Sequence, residues 1–411
     1  MTDADWENHG FLLRSQKIFL KIGIIYVMGI VLLSFPFFQR QALYLHNVHW
    51  PLFARFDAPH YHGLAPFKTL NLMLTTPDNV RIGAWFVLSD SAYKSSGAFN
   101  RTQPPNPTEV TRALENFPTV LFFHGNAASR AVKYRVQFYG QVSLRLRANL
   151  LVIDYRGFGD SESFPSEAGL NIDARTSWDW LVENGADPKD IVILGQSLGT
   201  GVATKLATQL TEEGITPRGL VLTAPFSAVT KLLETYSFGG YIPLFRPLQI
   251  FPYASYIIER FTHTRYETIS LISDVRCPIL IVHAKDDGTI PFSHSTDLFS
   301  RLLDPQLPPW PPFMLENDAK LGALSWTSEQ LAQVTRTAEE RAVVTNKIVT
   351  TLLAGPEDAP FGAVKTFNRR LEEGGQRVVF LETEKGGHTE IVRSEGVIDY
   401  IGWTMGIQDY V

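Results

Sequence analysis

Six short apolar runs constrain the fold of this chain more than any other feature: "PTVLFFHG" (118–125), "NLLVIDYRG" (149–157), "DIVILGQS" (190–197), "RGLVLTAP" (218–225), "CPILIVHA" (277–284) and "RVVFLETE" (377–384). None alternates apolar with polar residues, so neither face of the implied strand meets water. Such runs, with helical stretches between them, imply a mostly parallel sheet with helices on both faces, an α/β class protein. Ahead of them, "LNLMLTT" and "VRIGAWFVLS" flank Pro77-Asp78-Asn79 and read as a hairpin. In open sheets of this kind function gathers at the carboxyl ends of the strands. The search for chemistry therefore starts there.

A second constraint lies at the N-terminus. Residues 22–38, "IGIIYVMGIVLLSFPFF", are 17 residues without a charge, and Ile18 to Leu20 extend them past Lys21. A helix of about 20 such residues spans the hydrocarbon layer, with Lys21 reaching the interface. No small-residue cleavage pattern follows Phe38, which disfavours a cleaved signal peptide. Arg14, Lys17 and Lys21 precede the span and only Arg40 follows closely. The charge bias leaves residues 1–17 as a cytosolic tail, 18–38 as a single-pass transmembrane anchor, and the body on the lumenal or extracellular side. Asn100-Arg101-Thr102 is a glycosylation sequon in a polar stretch, so Asn100 is a glycosylation candidate. Residues 39–68 form a juxtamembrane segment rich in aromatic rings. They read equally as a strip riding the membrane interface or as ordinary packing against the body.

The remaining chain, 69–411, reads as one catalytic domain. It is interrupted by an aromatic cap segment at 225–270 and an insertion at 304–376 that opens "DPQLPPWPPFML"; either is placed to serve as a lid. A net charge of -5 argues against a nucleic-acid partner. The single cysteine, Cys277, permits no internal disulfide and reads as a small core residue. No Cys/His cluster, phosphate-binding glycine loop or metal-ligand spacing is visible, so no cofactor and no metal are expected.

The third run ends in Gly195-Gln196-Ser197-Leu198-Gly199. This spacing is that of a nucleophile elbow, where a serine sits on a sharp strand-to-helix turn flanked by small residues. Its hydroxyl needs a base to take its proton, and the base needs an orienting acid. On such a fold the order along the chain is serine, acid, histidine. After Ser197, "HAKDDGTIP" supplies Asp286 and Asp287 at a strand end. Asp287 is favoured because the loop turns away directly after it; Asp286 remains the alternative, or a turn-capping neighbour. Beyond them lie His294, too close in sequence to swing back, and His388 in "EKGGHTEI" after a Gly-Gly pair. His388 is therefore the expected base. Two backbone N–H groups should face the developing oxyanion: Leu198, at the start of a helix, and Asn126 in "FFHGNAAS", with Ala127 as the fallback. His124 and the loop "DYRGFGDSES" read as scaffold.

Taken together, "HGNAAS", "DYRGFGDSESFPSEAGL", "GQSLGTGVAT", "HAKDDGTIP" and "GGHTEI" resemble the α/β-hydrolases. More narrowly, they resemble the membrane-anchored subgroup that includes monoacylglycerol and lysophosphatidylserine lipases of the endoplasmic reticulum. The resemblance covers roughly residues 40–300 and 377–403, leaving the insertion outside it. It carries Gln196 where many relatives have histidine. It implies an α/β-hydrolase fold and a lumen-facing serine hydrolase acting on single-chain lipid esters. A protein depalmitoylase, thioesterase or peptidase on the same fold is the enzymatic alternative. A tethered binding protein with a dead site is the other, disfavoured because all three triad residue types stand in order.

Overall fold

A computed structural model of the chain describes residues 3–235, 237–238, 242–243, 253–316, 326–371 and 374–408. Ten strands form one sheet: β1 (Thr69–Thr75), β2 (Arg81–Val87), β3 (Thr119–Phe123), β4 (Asn149–Ile153), β5 (Ile191–Gln196), β6 (Gly219–Thr223), β9 (Ile279–Ala284), β10 (Thr350–Ala354), β11 (Gly362–Leu371) and β12 (Gly374–Thr383). Their spatial order is β1-β2-β4-β3-β5-β6-β9-β12-β11-β10. The six strands carrying the apolar runs are mutually parallel, from β4 through β12. Antiparallel hairpins close both edges. A two-residue pair, β7 (Ser237–Phe238) with β8 (Ile242–Pro243), lies in the cap segment.

The unbroken apolar runs are explained by what covers each face. Along β3, Leu121 and Phe123 join the core cluster on one side, and Val120 and Phe122 the cluster on the other. The same division holds for Ile193 against Val192 and Leu194, and for Ile281 against Leu280 and Val282. The first face is covered by the helices Glu167–Glu183 and Leu198–Glu212 through Leu170, Trp178, Val202 and Leu206. The second is covered by Lys133–Arg145 and Glu395–Thr404 through Val136, Tyr139, Val397 and Ile401. Alternate side chains along a strand point to opposite faces, so a strand buried twice must be apolar throughout. Cys277 is buried, and desolvation pushes its thiol up to about 12, far from the reactive range.

At the N-terminus one helix runs Asp3–Leu33, and its stretch Leu13–Leu33 is long and apolar enough to cross a membrane. It stops at Ser34-Phe35, where Pro36 opens a second helix, Pro36–Tyr44, so residues 36–38 belong to that second helix rather than to the first. Within 304–376, the described residues include short helical turns at Asp304–Gln306 and Pro312–Glu316 and a solvated helix, Ser328–Ile348, started by a capping box between Thr327 and Gln330. β10, β11 and the start of β12 follow. That part of the insertion widens the sheet at its far edge. Residues 317–325 and 372–373 lie outside the described residues.

Candidate active site

The triad and oxyanion candidates named from the sequence stand at strands' carboxyl ends: Asn126 after β3, Ser197 and Leu198 after β5, Asp287 after β9 and His388 after β12. Parallel pairing of β3, β5, β6, β9 and β12 turns these distant segments toward one rim. At its centre Ser197 has φ 52° and ψ -119°, a backbone state that residues with a Cβ rarely adopt. The turn is tight enough to need both flanking glycines. A Cβ at Gly195 would collide with the Gly199 carbonyl, and one at Gly199 with the Phe123 carbonyl. A Cβ at Gly125 would press on the same turn, 3.2 Å from that of Ser197. The sharp turn lifts the serine hydroxyl clear of the sheet.

His388 reaches it. Its Nε2 is 2.9 Å from Ser197 Oγ, and its Nδ1 is 2.8 Å from Asp287 Oδ2. His388 therefore carries its proton on Nδ1, donated to the carboxylate, and offers the Nε2 lone pair to the serine hydroxyl. The other Asp287 oxygen accepts the N–H groups of Thr289 (2.7 Å) and Ile290 (3.0 Å). Burial pushes the Asp287 carboxyl upward, but bonds from His283, His388 and the Ile290 amide outweigh it and hold the group well below the usual carboxylate range. It stays ionised at neutral pH.

His283 and Arg135 escape a reading of sequence order, whereas Asp286 already stands in it as the alternative acid or a turn-capping neighbour. His283, in β9, places Nε2 3.2 Å from Asp287 Oδ2 and 3.1 Å from the Ile290 carbonyl, while its Nδ1 meets Ser295 Oγ at 2.6 Å. Its presence four residues before Asp287 was the only available cue. Asp286 is no bystander: its carboxylate accepts the Gly387 N–H at 2.8 Å, tying down the loop that presents His388. Arg135, buried in the helix behind the site, donates to the carbonyls of Gly125, Asn126, Ala127 and Ser129 at 2.9–3.3 Å. No local pattern around "KYRVQF" announces that role.

The oxyanion candidates also separate. The Ala127 N–H is consumed by the Tyr44 carbonyl at 2.9 Å, which removes the fallback. The N–H groups of Asn126 and Leu198 donate to no backbone carbonyl among the described residues. Leu198 opens its helix, where the first amides have no intrahelical acceptor. His124 is fully buried, with Nδ1 2.7 Å from the Gly125 carbonyl and Nε2 3.2 Å from Asp154 Oδ1, though not aligned for a hydrogen bond to it. Asp154 accepts both the backbone N–H and the guanidinium of Arg130 at 2.6 Å. This pair holds the "DYRGFGDSES" loop and, among the described residues, makes no hydrogen bond to Ser197, Asp287 or His388. His294 binds Ser227 and Thr235 instead, and burial with Lys231 nearby pushes its pKa down to about 4, leaving it a neutral strut. In the cap, Tyr236, Tyr241, Phe245 and Phe251 lie outside the described residues. Tyr253 and Tyr256 of the same segment are 74% and 68% exposed.

An elbow serine, an acid and a histidine in this order on this sheet define a class, and residues 120–399 match the alpha/beta hydrolase family. The chain belongs to that family and is an esterase- or lipase-type hydrolase. Among its relatives is the lysophosphatidylserine lipase ABHD12 of Xenopus tropicalis, 32% identical over 292 residues, which are 70% of this chain and 71% of the relative. The same-named protein of Danio rerio is 29% identical over 71% of this chain and 73% of its own. An alpha-beta hydrolase from Vibrio vulnificus shares the fold at a TM-score of 0.52 and 17% identity, covering 90% of this chain and 92% of that one.

Proposed function

We propose that this protein is a membrane-anchored serine hydrolase that cleaves the acyl ester of single-chain lipids, a lysophospholipid or a monoacylglycerol. The observation that carries the reading is the hydrogen-bonded line Ser197–His388–Asp287 on a strained elbow. Ser197 Oγ attacks the ester carbonyl carbon as its proton passes to His388 Nε2. The Leu198 and Asn126 N–H groups stabilise the oxyanion, each contributing about 100- to 1000-fold in rate. The tetrahedral intermediate collapses and the carbon–oxygen bond to the glycerol breaks. His388 returns the proton to that oxygen, and the deacylated headgroup leaves. Water, deprotonated by the same imidazole, then releases the fatty acid from the acyl-enzyme. Asp287 keeps the imidazole in the tautomer this requires.

Lipid as substrate is supported by the names of the lysophosphatidylserine lipases and by the apolar helix, which sets the domain beside a bilayer. Turnover should climb with acyl length across a series of monoacyl esters, since each buried methylene contributes about 0.8 kcal/mol. Assays of acetyl, butyryl, octanoyl and palmitoyl glycerol would test this; a flat profile would leave a general esterase.

For the topology, the charge bias around the span favours a lumenal or extracellular body, the family resemblance favours the endoplasmic reticulum, and Asn100, which is exposed, is open to glycosylation. Protease added to sealed microsomes should then spare the body and trim only the tail. Digestion of the body without detergent would reverse the orientation.

A further inference from the structure

The loop that carries the Asn126 amide is held from two sides, and one of them is the segment that joins the body to the apolar helix. Ala127 and Ala128 both have left-handed backbones, with φ 59° and 55°, a pair of states that side-chain-bearing residues do not hold unaided. Arg135 takes the carbonyls of the loop on the inner side. On the outer side three successive amides are taken by the juxtamembrane segment: Ala127 N–H by the Tyr44 carbonyl (2.9 Å), Ala128 N–H by Val48 (3.0 Å) and Ser129 N–H by Trp50 (3.1 Å). The Asn126 side chain adds a bond to the Leu43 carbonyl at 3.2 Å. Tyr44 is itself fixed, its ring buried in the core and its hydroxyl 3.2 Å from that of Tyr266. With amides 127 to 129 engaged, the Asn126 N–H is the one in this stretch left without a backbone acceptor among the described residues.

We propose that residues 43–50 are a positioning element of the active site: they set the oxyanion loop, so the stretch following the apolar helix is catalytic scaffold as well as tether. This rests on the hydrolase reading above. The element begins ten residues after Leu33, the last residue of the apolar helix, with the short helix Pro36–Tyr44 as the rigid link. Its job is geometric, because an oxyanion donor displaced by about 1 Å loses most of its effect on the transition state while substrate binding is little changed.

The test uses the full chain in detergent micelles with p-nitrophenyl butyrate, a soluble ester that needs no bilayer. Asn126→Ala keeps the backbone N–H but removes the bond to Leu43 from an exposed side chain, so folding is not at stake. It should lower kcat about fivefold with KM within about twofold. Tyr44→Leu, checked for folding by near-ultraviolet circular dichroism, should lower kcat at least about tenfold, and Tyr44→Phe should restore it. Replacing Leu13–Leu33 with 21 leucines should leave kcat unchanged, separating the brace from the span. If kcat is unchanged in Asn126→Ala and in folded Tyr44→Leu, the proposal is overturned; should Tyr44→Leu not fold, Asn126→Ala decides alone. Ser197→Ala, run alongside, distinguishes the failures: an active Ser197→Ala removes the hydrolase reading, whereas a dead one beside unaffected brace variants removes the brace alone.

Discussion

Ser197→Ala is expected to cut turnover of a monoacyl ester by about five to six orders of magnitude, because a triad acts as a unit and the attacking atom is the one lost. Nothing else at the site should move. Alanine keeps a Cβ, so the left-handed backbone at position 197 remains as strained as with serine, and the glycines that admit the turn are untouched. Among the described residues the hydroxyl's one side-chain hydrogen-bond partner is His388, which keeps its bond to Asp287. The thermal midpoint should therefore match the parent, and a fluorophosphonate probe should label the parent alone. Undiminished labelling of the variant would take the serine out of the mechanism.

The second large effect separates two adjacent carboxylates. Asp287→Asn should lose about 10⁴-fold in turnover, since an amide NH₂ facing His388 Nδ1 favours the tautomer that leaves no lone pair on Nε2. Asp286→Asn should lose less than about tenfold, because asparagine retains an oxygen for the Gly387 N–H and the histidine loop stays in place. Equal, mild losses from both would show that the acid lies elsewhere. A stability measurement gives an independent handle. The Asp287 carboxyl is depressed in the folded protein, so its contribution is fully present above pH about 4 and drains away as pH falls toward the depressed value. Asp287→Asn should flatten the acid side of the stability profile.

These expectations divide along a line between what local patterns can say and what they cannot. The apolar runs specified doubly buried strands because burial on both faces admits no polar alternation, and the six runs did become the parallel strands β3, β4, β5, β6, β9 and β12. The hairpin at Pro77-Asp78-Asn79 was legible for a similar reason: Asn79 tolerates the left-handed turn position it occupies at φ 61°. Gly195 and Gly199 were legible because a strained turn excludes any Cβ beside it. Chain order did the rest, leaving one histidine, His388, able to meet Ser197.

What the sequence by itself determined, then, is whatever a short stretch must satisfy alone: strand burial, turn sterics, an apolar helix of sufficient length, and the order of the chemical groups. Only the tertiary structure decided contacts between segments that carry no mark of each other. Arg135 reaches four carbonyls that any helix-borne arginine might have missed, and Asp286 is set apart from Asp287 by a glycine amide 101 residues away. Ala127 lost its place as an oxyanion donor to the Tyr44 carbonyl, 83 residues earlier in the chain. Backbone amides and carbonyls are the same at every position, so which of them is spent in a bond and which is left for a substrate is invisible until the chain has folded.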